Sequence, residues 1–200
     1  MVEKRVKNEE ILWLVNTIIF HDCARDIAPK IQSPPSLFDR LPSEKSLFKV
    51  ARGKGLPIGN LTSQFFANVY LNELDQFVKH ILKAKYYVRY VDDMIILGES
   101  KNQLKDYKQR INIFLQEKLK LILHPLKQKI SPVSNGIDFV GYIVRADYTL
   151  IRKRVVDQWR QKLTNCPRDK FAAVNNSYLA HAKWANGWGL KKAMLASFEQ

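Results

Sequence analysis

Two adjacent carboxylates, Asp92 and Asp93, sit inside the run Tyr-Tyr-Val-Arg-Tyr-Val-Asp-Asp-Met-Ile-Ile-Leu-Gly that spans Tyr86 to Gly98. The flanking stretches, Tyr86–Val91 and Met94–Leu97, are β-branched and aromatic, which predicts a β-hairpin with the two carboxylates at its tip. Aspartate is common in surface turns because it tolerates turn geometry and prefers water. Two anions held side by side between apolar strands nevertheless repel, and a cation relieves that cost. Mg²⁺, with Mn²⁺ as an alternative, suits such a pair: it prefers hard carboxylate oxygens and keeps open positions for water and phosphate.

The elements that must position this pair are readable on both sides. Upstream, Gly53, Gly55, Pro57 and Gly59 bend the backbone for a close approach, and Asn60, Ser63 and Gln64 stand just before a helix predicted over Phe65–Lys79, which Thr62 or Ser63 would cap. In that helix Phe66, Val69, Tyr70, Leu74, Phe77, Val78 and Ile81 recur at helical spacing and read as a core stripe. No Gly-Lys-Ser/Thr ending follows the glycines, so a nucleotide-hydrolysing phosphate loop is excluded. Downstream, Ser100 or Lys101 opens a second amphipathic helix burying Leu104, Tyr107, Ile111, Phe114, Leu115 and Leu119. A basic turn follows at Lys127–Lys129. Gly136–Val144 reads as a strand, Ala146-Asp147 as a turn and Tyr148–Arg152 as the returning strand. From Ile151 the chain is basic and helical, with Trp159 and Phe171 among the cations. Near the start, Ile11, Leu12, Leu14, Val15, Ile18 and Ile19 mark a helix ending near His21, and the prolines between Ala28 and Leu47 mark a loop.

Composition narrows the partners. The chain has 200 residues and a formal net charge of +14, a surface that attracts polyanions, of which nucleic acid is the commonest. No long apolar run or signal-peptide core is present, so no membrane partner is expected and the location is read as cytoplasmic. Cys23 and Cys166 are far apart and lack metal-ligand spacing, which argues against a disulfide framework or a zinc site.

In order, then, the chain carries Gly-Leu-Pro-Ile-Gly-Asn-Leu-Thr-Ser-Gln, a helix, Tyr-Val-Asp-Asp between strands, a helix, Leu-His-Pro-Leu-Lys, Asp-Phe-Val-Gly-Tyr and a basic helical tail. This order resembles the palm and thumb of a reverse transcriptase, an RNA-directed DNA polymerase. Within the family, Ile58 to Gln64 is most similar to the enzymes of bacterial diversity-generating retroelements. The resemblance implies an α+β fold: a partial palm over residues 1–150, with an antiparallel sheet backed by helices, then a mostly helical thumb over 151–200.

The resemblance also implies roles. Asp92 and Asp93 would hold the metal ions, Asp92 as the firm ligand, and Lys127 would lie near the leaving pyrophosphate. Ile58, Gly59, Asn60, Ser63 and Gln64 would line the incoming deoxynucleotide triphosphate and the template. Tyr90 and Val91, together with Phe139, Val140, Gly141 and Tyr142 as a primer grip, would hold the primer end. Arg152, Lys153, Arg154, Arg160 and Lys162 would follow the duplex backbone. The partners implied are an RNA template, a DNA primer or cDNA duplex, and an accessory retroelement protein.

One part of the family pattern has no counterpart. A palm of this kind takes a further Asp from a strand upstream of the Gly-Leu-Pro-Ile-Gly block; Asp22 and Asp26 are the nearest candidates, but Asp22 follows a helical pattern rather than a strand. The expectation is a C-terminal portion of a polymerase, without the first catalytic strand and the fingers, inactive alone. The alternative is a catalytically incompetent remnant that binds nucleic acid or a partner. A missing strand also predicts self-association through an exposed palm edge, which a monomeric elution profile would contradict.

Overall fold

A computed structural model of the chain describes residues 2–21 and 60–196. Ile58, Gly59, Asp22, Asp26, the proline-rich stretch and the glycine-rich turn fall outside the described residues. The chain forms two compact units, Met1–Leu123 and His124–Gln200. Strands expected to belong with the palm therefore keep company with the C-terminal helices.

In the first unit, α1 (Glu9–Phe20) starts at Asn8, whose side chain accepts a hydrogen bond from the Ile11 N–H and satisfies one of the free donors of the first turn. None of its residues is buried. Helix α2 (Leu61–Gln76) begins four residues earlier than its apolar stripe suggests. Asn60 occupies the N-cap position, so Thr62 and Ser63 lie inside the first turn and are not the cap. At Phe77–Ile81 the helix widens into a π turn. The extra residue rotates the stripe: Leu74 and Val78 are buried, whereas Ile81 faces solvent.

Strands β1 (Tyr86–Tyr90) and β2 (Asp93–Leu97) pair antiparallel, with Tyr86 opposite Leu97 and Tyr90 opposite Asp93. Alternation sends Tyr87, Met94 and Ile96 onto the core. Helix α3 (Lys101–Lys118) is capped at Ser100, whose Oγ accepts from the Gln103 N–H. It contributes Ile111 and Leu115, and Leu119 just beyond it, to a core shared with Leu74, Val78, Leu82 and Ala84. The Tyr70 hydroxyl donates to the Leu119 carbonyl at 2.7 Å and ties α2 to the end of α3.

The second unit corrects the strand expected over Gly136–Val144. Two strands stand there, β3 (Ile137–Phe139) and β4 (Tyr142–Val144), joined by the two-residue turn Val140-Gly141, and β5 (Thr149–Ile151) completes a meander. Both turn residues have left-handed φ, 48° and 89°, the conformation a tight hairpin needs to match strand twist. Helices α4 (Lys153–Asn165), α5 (Arg168–Ala182) and α6 (Trp188–Ala196) follow. Trp159, Leu163, Ala182 and Met194 form their core, so Trp159 is packing and not part of a binding face. Its indole N–H donates to the buried Asn175 side chain at 3.2 Å.

Candidate active site

The hairpin tip is tighter than the sequence suggests. Val91 and Asp92 form the turn, and Asp93 is already the first residue of β2. Both carboxylates are exposed. Val91 sits at φ +56°, a left-handed conformation that costs a β-branched residue about 1–2 kcal/mol and persists only where the surroundings hold it.

The restraint comes from Arg89, the next inward-facing residue. Its Nη1 donates to the Val91 carbonyl at 2.6 Å and to Asn68 Oδ1 at 2.9 Å. Its Nε and Nη2 form a two-pronged bond to the Asp75 carboxylate, at 2.8 and 2.6 Å. Tyr87, on the same face of β1, donates its hydroxyl to Asp75 Oδ1 at 2.6 Å. The Arg89 and Asp75 side chains are only 10% and 21% exposed. Burial pulls the Asp75 carboxyl upward, but hydrogen bonds from Arg89 and Tyr87, with the charges of Arg89 and Lys79, outweigh it and hold the group below its ordinary value. Burial, then the bond to Asp75, pushes the Tyr87 phenol far up, so it stays a donor at any ordinary pH.

Asn68 also links the tip to the start of α2. Its side-chain amide donates to the Gln64 carbonyl at 3.1 Å, and Gln64 and Asn68 line an open concavity of about 510 Å³ with Leu61, Thr62, Phe65 and Phe66. The structure thus brings Gln64 and the Asp92 turn into one hydrogen-bonded assembly. Asn60 is exposed and Ser63 half-buried at the same helix end. Tyr90, 58% exposed, lies on the outward face of the hairpin with Tyr86 and Val88.

As metal donors, the two carboxylates are right in kind for Mg²⁺, being hard and anionic. In number they fall short: no group of three or more His, Cys, Asp or Glu able to hold a metal exists among the described residues.

The remaining expected residues lie in the second unit. Lys127 is exposed in a turn, its backbone N–H bonded to the His124 carbonyl. Phe139 and Tyr142 face each other across the β3–β4 hairpin. The Tyr142 ring stacks on His181 with centroids 4.5 Å apart, and its hydroxyl donates to the His181 carbonyl at 2.7 Å. Arg152 is not a free cation, since it pairs with Asp138 on β3. Lys153, Arg154 and Arg160 are exposed on α4, and Lys162 reaches over the Tyr178 ring. Sequence reasoning missed Asn68, Asp75, Arg89 and His181. The signal for Arg89 was a lone cation on the inward side of an otherwise apolar strand, which demands a carboxylate partner.

A carboxylate-tipped antiparallel hairpin with helices packed behind it is a palm-type α+β arrangement. The sequence model of the reverse transcriptase (RNA-dependent DNA polymerase) family matches residues 15–144, and the chain belongs to that family. Members of the family normally use divalent metal ions, a nucleic-acid template and nucleotides. Over 78 residues the chain is 36% identical to the Saccharomyces cerevisiae protein named "Putative COX1/OXI3 intron 2 protein", a stretch covering 36% of this chain and 9% of that protein. No helix among the described residues is long and apolar enough to cross a membrane.

Proposed function

We propose that this chain is the palm and thumb portion of an RNA-directed DNA polymerase of a bacterial or phage retroelement, copying template RNA into cDNA. The observation that carries the reading is the exposed Asp92–Asp93 pair at a braced hairpin tip in a chain of this family. A pair of divalent ions, Mg²⁺ or Mn²⁺, when bound, supplies charge neutralisation for the attacking 3′-hydroxyl and the leaving pyrophosphate. Asp92 and Asp93 hold them, Asn60, Ser63 and Gln64 line the template and nucleotide, and Tyr90 and the Phe139–Tyr142 hairpin keep the primer end in place. Lys153, Arg154 and Arg160 contribute phosphate contacts, which give affinity without sequence information. The Ile58 to Gln64 block supports assignment to the diversity-generating type.

Primer extension on a short RNA template with four deoxynucleotides, in Mg²⁺ and in Mn²⁺, tests this, with Asp92→Asn as the control. Extension by the unmutated chain when a separate upstream fragment supplies a further Asp, and its loss in the variant, are expected; extension by the chain alone would show that no further Asp is missing.

The incomplete donor set among the described residues favours a second reading, a binding module without turnover. Salt-sensitive duplex binding indifferent to Asp92→Asn, with no extension under any of these conditions, would select it.

A further inference from the structure

Arg89 and Asp75 touch neither of the carboxylates, yet beyond the β1–β2 ladder a side-chain bond from Arg89, itself held by Asp75, fastens the turn that carries Asp92. The Val91 carbonyl is the acceptor of a 2.6 Å bond from Arg89, one bond before the Asp92 amide. The guanidinium cannot swing away, because its other edge is fixed by both oxygens of Asp75 and its Nη1 also reaches Asn68. Asp75 is in turn fixed by Tyr87. The fork therefore fastens strand β1, the turn and helix α2 at one point. A left-handed valine beside a metal-binding carboxylate is the conformation that needs such a fastening.

We infer that Arg89 and Asp75 are positioning residues that set the Asp92 carboxylate for the metal ion by clamping the Val91 peptide to α2. The inference rests on the reading of Asp92 and Asp93 as the metal-binding pair. A lysine at position 89 keeps the charge and the attraction to Asp75 but lacks the planar fork that serves Asp75, Asn68 and Val91 together. The clamp is thus separable from the ion pair.

The test uses the full 200-residue chain, with amide hydrogen exchange at Val91, Asp92 and Asp93 and Mn²⁺-induced broadening of the same amides. In Arg89→Lys the three tip amides should exchange about tenfold faster or more, while the core amides of α2 and α3 keep their protection. Mn²⁺ should broaden the tip amides only at a concentration several-fold higher than in the unmutated chain. Asp75→Asn should move both readouts the same way. The unmutated chain carries its own check if a variant fails to fold: the Arg89 guanidinium protons should exchange slowly enough to be resolved, and rapid exchange there would overturn the clamp. Unchanged tip exchange in Arg89→Lys would overturn it too. Failure of the metal reading looks different: Mn²⁺ broadening would be the same in Asp92→Asn as in the unmutated chain, while the exchange result still decides the clamp.

Discussion

Asp75 is held as a carboxylate by neighbours that lose their partner if it is protonated, and this makes the first unit acid-sensitive at that residue. Its folded pKa lies below the ordinary 3.8, so its stabilising contribution is complete above that value and is lost as the pH falls through the lowered folded value. Unfolding free energies of the unmutated chain and Asp75→Asn, from urea titrations, should therefore differ at neutral pH by about 2 kcal/mol. Below the ordinary 3.8 the difference should shrink as the pH falls through the lowered folded value and Asp75 protonates. A gap that stays constant down to pH 2 would mean the carboxylate's charge adds nothing. At this scale the sequence was half informative. Adjacent Asp92 and Asp93 announce themselves because like charges at a turn require an explanation. Arg89 signals only that it needs a carboxylate; that Asp75 supplies it, fourteen residues away on another element, is set by the packing of β1 on α2.

At the scale of elements, periodicity located helices well and turns less well. The helix start at Ser100 or Lys101 and the buried positions Ile111 and Leu115 follow from pattern alone. The hairpin hidden in Gly136–Val144 was read as one strand, although Phe139 and Tyr142, three residues apart, face each other and break the period of two. Valine at a left-handed turn position gave no warning, because valine ordinarily argues for a strand. The turn yields a paired prediction. A Cβ at Gly141 would sit 3.2 Å from His181 Nε2 with φ at +89°, so Gly141→Ala should cost about 1–2 kcal/mol. Val140→Asn supplies the side chain this turn prefers and should stabilise by about 0.5–1 kcal/mol. Thermal midpoints moving in opposite directions would confirm the hairpin; both falling would return the segment to a continuous strand.

For the molecule as a whole, charge is the property that the sequence states most directly and the structure apportions. Thirty-three basic against nineteen acidic residues leave +14, but the cations are not equivalent. Arg152 is engaged by Asp138 and Lys162 lies over Tyr178, so each has a structural task in the second unit. Lys153, Arg154 and Arg160 are exposed on α4, which buries Trp159 and Leu163. Counterion release then predicts a measurable division of labour. Duplex affinity measured by fluorescence anisotropy across a salt series should lose about 0.9 from its logarithmic slope for each true phosphate contact removed, hence about 2–3 for Lys153→Ala, Arg154→Ala and Arg160→Ala combined. Arg152→Ala should lower the unfolding midpoint more than it changes that slope, since its loss leaves Asp138 without its cation. A triple variant that binds with an unaltered slope would move the nucleic-acid face off α4, and a slope change as large for Arg152→Ala alone would mean that nucleic acid displaces Asp138 from its partner.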